Sequence, residues 1–334
     1  VHSQLSRQLN WNTLTPPNFP IGASTRELGM NTNRAEYLPH EGVMLEEISS
    51  IIKDVPTGNF VDATYGYGSH FNLSSIHDHL NFIGFDRDLE SINNSNNFHK
   101  VYHLNFSDIY KFLSQNNYLP LSGILYDFGL SSHQIDSNHR GFSFQNNSPL
   151  DMRMDMEQKL SAASIVNNYS EEKITEVLKA YSEDKHFNKI SKKIIESRPL
   201  LTTSELVTAI KEALPRQNPI FTEKTIRRIF QALRIEVNDE LNEIKVSLNS
   251  IKKSIKKKGI IICISYHSLE DKIVKNFFNE LTTFCICEPS IPICKCDIEQ
   301  QFSYPSKKKY IPTEKEKESN PRSKSAIMRY VVKL

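Results

Sequence analysis

Three carboxylates stand where apolar runs give out: Asp62, Asp86 and Asp127. Asp62 interrupts Phe60-Val61-Asp62-Ala63 just before a turn containing Gly66 and Gly68. Glycines there let the backbone turn sharply and approach a ligand closely, because they carry no β-carbon. Asp86 closes the run from Phe82 to Phe85, 20 residues after Gly66. An acid at that offset, on the tip of the second strand of a βαβ unit, is placed to accept hydrogen bonds from ribose hydroxyls. Asp127 ends the apolar run of Ser122 to Phe128, beside the crevice where ligands bind in such sheets. The pattern opens a nucleoside-binding fold and leaves the nucleoside to be decided.

A nicotinamide-dinucleotide site calls for G-x-G-x-x-G, the third glycine letting helix pack on strand. Gly66-Tyr67-Gly68-Ser69-His70-Phe71 puts a bulky Phe in that third place, which weakens this reading. Asp62 beside the glycine turn suits the amino group of an amino-acid moiety, as in S-adenosylmethionine; capping the turn is its plainer role. His267, in Ser265-Tyr266-His267-Ser268-Leu269-Glu270-Asp271, is a candidate base, with a local capping role ranked ahead. Cys285, Cys287, Cys294 and Cys296 form C-x-C-x₆-C-x-C, which either holds a structural zinc ion through four thiolates or leaves thiols. Cys263 falls inside a strand and reads as core.

The elements that must position these groups follow from hydrophobic periodicity. Val43, Leu45, Ile48, Ile51 and Ile52 fall at helical spacing ahead of the first strand. Strands are expected around Phe60, at 82–85, 101–104, 122–128 and 260–265, with a last one at 326–332. Helix-length segments between them imply a parallel, doubly wound α/β sheet. The interval between the fourth and fifth strands far exceeds one crossover helix. Helices are expected there from Ile165 through Tyr181, from Ile190 to Ile195 and from Leu206 to Leu214. A long amphipathic one begins near Thr222 and ends at Gly259 after three lysines. Residues 135–236 therefore read as a helical domain inserted into a sheet domain formed by 37–134 and 237–334. Residues 1–36 lack periodicity and read as a disordered tail or an over-called start, with Met30 a sensible initiator.

Composition sets outer limits. With 334 residues, 38% hydrophobic and 24% charged, the chain can bury an ample core. Its net charge of +2 is no polycation, so any nucleic-acid surface must arise from local clustering. No apolar run reaches the roughly 18 residues of a membrane span. Five cysteines, four of them within twelve residues, do not resemble a secreted disulfide framework, and a cytoplasmic location is expected.

The motifs VDATYGYGSH, GFDRD, ILYDFGLSS, RGFSF, PLDMRMD, FQALRIEVNDEL, SYHSLEDKIVK and NPRSKSA occur in this order. From about Leu38 to Val332 the chain resembles the bacterial 16S ribosomal RNA (cytosine-N4)-methyltransferase family. The resemblance implies a class I (Rossmann-like) methyltransferase, S-adenosylmethionine as cofactor, and 16S rRNA in the small ribosomal subunit as partner. It implies cofactor contacts at Gly68, Ser69, His70, Asp86, Phe106, Asp127 and Gln134, and RNA recognition by the inserted helices. Asp127 is then the best-placed acceptor for an amine hydrogen. Arg140, Arg153, Arg227, Arg228 and Lys307 to Lys309 are expected RNA contacts; Phe142 and Phe144 are stacking candidates, with core packing the commoner use. Ser69 departs from the family's glycine, His133 from its proline, and Tyr266 from its phenylalanine. A nicotinamide oxidoreductase and a non-catalytic RNA-binding assembly factor are the competing readings, and the oligomeric state is open.

Overall fold

Strands β1 (Gly58–Asp62), β2 (Leu80–Asp86), β3 (Val101–His103), β4 (Leu121–Phe128), β5 (Ile255–Ser265), β6 (Phe302–Ser303) and β7 (Ile327–Lys333) form one sheet in the computed structural model. The structure describes residues 42–93, 100–215, 218–285, 287, 296 and 298–334, within a unit spanning Pro39–Leu334. The expectations for residues 1–36 and for Cys294 lie outside the described residues.

The strand order is β3-β2-β1-β4-β5-β7-β6. β1 to β5 run parallel, β7 runs antiparallel to β5, and β6 antiparallel to β7. Successive strands step outward from β1 to β3, and the chain then returns to place β4 on the other side of β1. That reversal opens a crevice at the carboxyl ends of β1 and β4. Alternate residues face opposite sides of the pleat. Val61, Ile83 and Phe85 join one core, and Phe60, Phe82 and Leu125 join the other. Burial on both faces explains why these strands read as near-continuous apolar runs.

The helices are α1 (Leu45–Ile52), α2 (Leu89–Asn93), α3 (Phe106–Gln115) and α4 (Ser132–Asp136), followed by α5 (Ala162–Asn168), α6 (Glu171–Tyr181), α7 (Phe187–Glu196) and α8 (Thr203–Ala213). After them come α9 (Pro219–Asn238), α10 (Glu240–Ile251), α11 (Ser268–Thr282) and α12 (Glu314–Ser319). Among the described residues, no helix is long and apolar enough to cross a membrane. Helices α5 to α9 and the loops before them share a hydrophobic core built from Phe142 to Val237. The single helix expected over 165–181 is two. Ser170 caps α6 by accepting from Lys173 N–H, and a cap starts a new helix.

Two further expectations are corrected. The long helix expected from Thr222 breaks at Asp239, which adopts φ +50°. Before the break the chain packs on the helical core; after it, Ile244, Leu248 and Ile251 pack on the sheet. Buried Asn238 holds the joint: its Oδ1 accepts from Met154 N–H, and its Nδ2 donates to the Met152 and Arg234 carbonyls. Lys256 to Lys258 are not a helix end but the start of β5. A register shift against Leu121 and Gly123, with Lys258 at φ +62°, bulges the strand and turns lysines outward. Asn238→Ala should lower folding stability by about 2 kcal/mol, because it strands buried backbone groups. Urea titration checks this, and a loss below roughly 0.5 kcal/mol would show that the joint does not depend on the amide.

Candidate active site

Asp62 ends β1 fully buried. Its Oδ1 accepts from Thr64 N–H at 3.1 Å, while Oδ2 is buried with no hydrogen-bond partner among the described residues. Burial pushes its pKa up to about 6, against the opposing charge of His70 and the Thr64 bond, with Asp127 adding to the rise. A solitary buried carboxylate costs free energy unless something positive meets it.

The turn that follows is built for close approach. Gly68 has φ +79°, and a β-carbon there would fall 2.7 Å from the Tyr65 hydroxyl. Gly66 donates its N–H to Asp86 Oδ2 at 2.6 Å, and Asp88 N–H reaches Asp86 Oδ1 at 2.8 Å. Asp86 therefore already ties the glycine turn to the end of β2, a task the ribose-only expectation left out. Burial raises its pKa to about 6 against those two backbone bonds. Ser69 and His70 pack against Gly42, where an added β-carbon would lie 3.1 Å from each side chain. His70 Nε2 is 2.9 Å from the Val43 carbonyl, an acceptor only, so Nε2 carries the proton in that bond. Its Nδ1 lies 3.8 Å from Asp127 Oδ2.

Asp127 is clamped from several sides. Its backbone N–H donates to Thr64 Oγ1 at 2.8 Å, and its Oδ1 accepts from the Tyr266 hydroxyl at 2.7 Å. Burial raises the carboxyl pKa, while His70 and the Tyr266 bond pull it down. Burial and the neighbouring Asp127 charge push the Tyr266 phenol well up, which keeps it a donor. Gly129 makes room, since a β-carbon there would meet the Tyr266 ring at 2.9 Å. Phe106, the first residue of α3, stands edge-on to Tyr126 and Phe128.

The structure thus brings Gly68, Ser69, His70, Asp86 and Asp127 to one end of the sheet, with Asp62 among them. Gln134 differs. Its Oε1 accepts from Ser131 N–H and its Nε2 donates to Asp88 Oδ2, so this buried amide caps α4 and latches Asp88. The expectation for Arg140 is corrected: it is fully buried, pairing with Asp88 at 2.9 Å and Glu90 at 2.8 Å and donating to the Arg153 and Met154 carbonyls. A guanidinium so enclosed does not reach RNA. Arg153 is bound to Asp151 and to the Met156 and Gln158 carbonyls. Arg227, Arg228 and Lys307 to Lys309 are exposed, with Arg227 paired to Glu223 and Arg228 to Asp184.

Phe142 and Phe144 pack in the helical core, Phe144 edge-on to Phe230. His267 caps α11, its Nδ1 accepting from Glu270 N–H. The metal candidates Cys285, Cys287 and Cys296 come together between α11 and β6. Sequence reasoning missed Thr64, Asp88 and the Tyr266 hydroxyl. Only the last left a signal, as a tyrosine where phenylalanine was expected.

Residues 37–334 match the sequence profile of the MraW methylase family. The ribosomal RNA small subunit methyltransferase H of Halothermothrix orenii is 42% identical over 303 residues, covering 87% of this chain and 97% of the relative. Its namesake in Clostridioides difficile is 39% identical over 307 residues, covering 88% and 99%. That of Caldicellulosiruptor bescii is 40% identical over 310 residues, covering 90% and 99%. The profile takes in every strand that carries the crevice and every helix between them, and the chain belongs to the MraW methylase family.

Proposed function

We propose that the protein methylates the exocyclic N4 of a cytidine in 16S rRNA of the small ribosomal subunit, in the cytoplasm, with S-adenosylmethionine as donor. The observation that carries this reading is the convergence of three carboxylates, buried Asp62 and half-buried Asp86 and Asp127, at one end of the sheet, one oxygen of Asp62 lacking a partner among the described residues. Such a site favours a positively charged ligand. S-adenosylmethionine fits, since its amino-acid end carries an ammonium and its sulfonium supplies an electrophilic methyl group. Asp62 would hold the ammonium, Asp86 the ribose through its remaining lone pairs, and the Gly66–Gly68 turn the close-lying backbone contacts. A nicotinamide dinucleotide brings no ammonium for Asp62.

The cytosine amine is a poor nucleophile because its lone pair is delocalised into the ring. It must be held in line with the methyl group, and positioning of this kind lowers the barrier substantially. A stacked base cannot enter the crevice, so the nucleotide is splayed out. Asp127 accepts an amine N–H and takes the proton as the N–C bond forms and the methyl–sulfur bond breaks, its electron pair staying on the sulfur of departing S-adenosylhomocysteine; burial raises the carboxyl's proton affinity and suits it to this role. Tyr266 fixes the other carboxylate oxygen. The helical segment, with Arg227 and Arg228 on its surface, is the proposed RNA-recognition domain.

Nucleoside mass spectrometry after incubation of the protein, the donor and undermethylated small subunits tests the reading. The expected product is N4-methylcytidine, and substrate binding should weaken steeply with salt, as phosphate contacts require. Methyl on another base, or a flat salt response, would overturn it. Calorimetry should show S-adenosylhomocysteine binding and NAD not binding.

A further inference from the structure

We propose that Cys285, Cys287 and Cys296 bind a structural zinc ion that fixes the segment between α11 and β6. Their sulfur atoms all lie within 4.8 Å of one another. Thiolates at about 2.3 Å from a tetrahedral zinc ion stand roughly 3.8 Å apart, so a small contraction completes the geometry. A second observation concerns charge. Cys285 Sγ accepts a hydrogen bond from Cys287 N–H at 3.4 Å. A backbone donor aimed at sulfur stabilises the thiolate, the form a metal requires.

The position explains why a staple is useful. No helix or strand covers the described residues between the end of α11 at Thr282 and the start of β6 at Phe302. Two thiols enter on the helix side and one on the strand side, so an ion bridging them cross-links the end of α11 to the approach to β6. The other cluster of candidate ligands, Glu240, His267 and Glu270, already holds a cation. Arg234 makes two 2.8 Å bonds to Glu240 and stands 3.8 Å from Glu270, leaving no electrostatic demand for a metal. Thiolates and zinc, by contrast, are a matched donor and acceptor.

Binding is a ligand exchange with no redox step. Three thiols give up their protons to solvent, three sulfur–zinc bonds form, and the fourth coordination position goes to water or a further donor. The inference does not depend on the methyltransferase reading.

The test uses the full chain, purified without chelator or metal-affinity resin. Elemental analysis should find about one zinc per chain. Cobalt(II) added to zinc-stripped protein should give a thiolate-to-cobalt charge-transfer band and tetrahedral d–d absorption, both abolished by one equivalent of zinc. The double variant Cys285→Ser, Cys287→Ser should bind cobalt at least about tenfold more weakly and lose most of the charge-transfer intensity. A cooperative thermal unfolding transition with wild-type helix content by circular dichroism confirms that the variant is folded; if it does not fold, Cys296→Ser is measured instead. Folded wild-type protein that takes up neither zinc nor cobalt would overturn the proposal. So would a disulfide among these cysteines, or a folded variant that keeps full metal affinity.

Discussion

Asp127→Asn should lower kcat for methyl transfer by about 100-fold or more, the usual contribution of a positioned general base. The substitution keeps the size of the side chain, and its amide oxygen can still accept from the Tyr266 hydroxyl. The amide nitrogen then faces the reacting amine with a donor where an acceptor is needed. Steady-state kinetics with small subunits separates the outcomes. Unchanged turnover with weaker donor binding would reduce Asp127 to a holder of the cofactor, and no change in either would remove it from the site. Tyr266→Phe should act in the same direction by roughly tenfold or more, since a hydrogen bond to a charged carboxylate is worth about 1.5–3 kcal/mol. It should also shift the acid limb of the rate profile upward, because the lost bond had been holding the Asp127 pKa down.

Asp62→Asn should weaken donor binding by about 100-fold while making the ligand-free protein more stable at neutral pH. The two effects share one cause. Asp62 has a pKa raised from 3.8 to about 6, so the folded chain holds this proton more tightly than the unfolded chain does. Between those values the folded state binds more protons, and the contribution to stability declines as pH rises. Above pH 6 the buried carboxylate is charged at a cost on the order of 1–3 kcal/mol, which the neutral amide avoids. A positive ligand reverses that cost, and the amide cannot. Donor affinity of the unaltered protein should therefore fall on acidification through pH 6, and Asp86, also near 6, adds to the fall. Thermal unfolding and calorimetry at pH 5 and pH 8 read both effects. A variant less stable at pH 8, with donor affinity intact, would contradict the account.

Much of the sheet was legible in the sequence because its strands are buried on both faces. The runs 82–85 and 122–128 carry no polar alternation to mask them. The start of β5 was not legible, since three consecutive lysines imitate a helix end and only the bulge against β4 explains them. The break at Asp239 was hidden for the opposite reason. Val237, Leu241 and Ile244 keep helical spacing straight through it, although Val237 serves the helical core and Ile244 the sheet core. Arg140 was read as a surface charge because its partners, Asp88 and Glu90, lie some fifty positions earlier in the chain. Within the site, strand-end acids stood out by type and spacing. The fastening of Asp127 by Thr64 and Tyr266 depends on three strand ends meeting, which no local pattern encodes.

The split of the sheet by the helical segment has a consequence for how the chain is made. β4 lies between β1 and β5, yet β4 ends at Phe128 and β5 begins only at Ile255. At synthesis rates of about 5–20 residues per second, the growing polypeptide carries β4 with one bare edge for roughly 10 s. An unsatisfied apolar edge of this sort is a template for misassembly until its partner emerges. The helices synthesised in the meantime can collapse on contacts close in sequence, so the nascent chain waits with a finished helical bundle beside half a sheet.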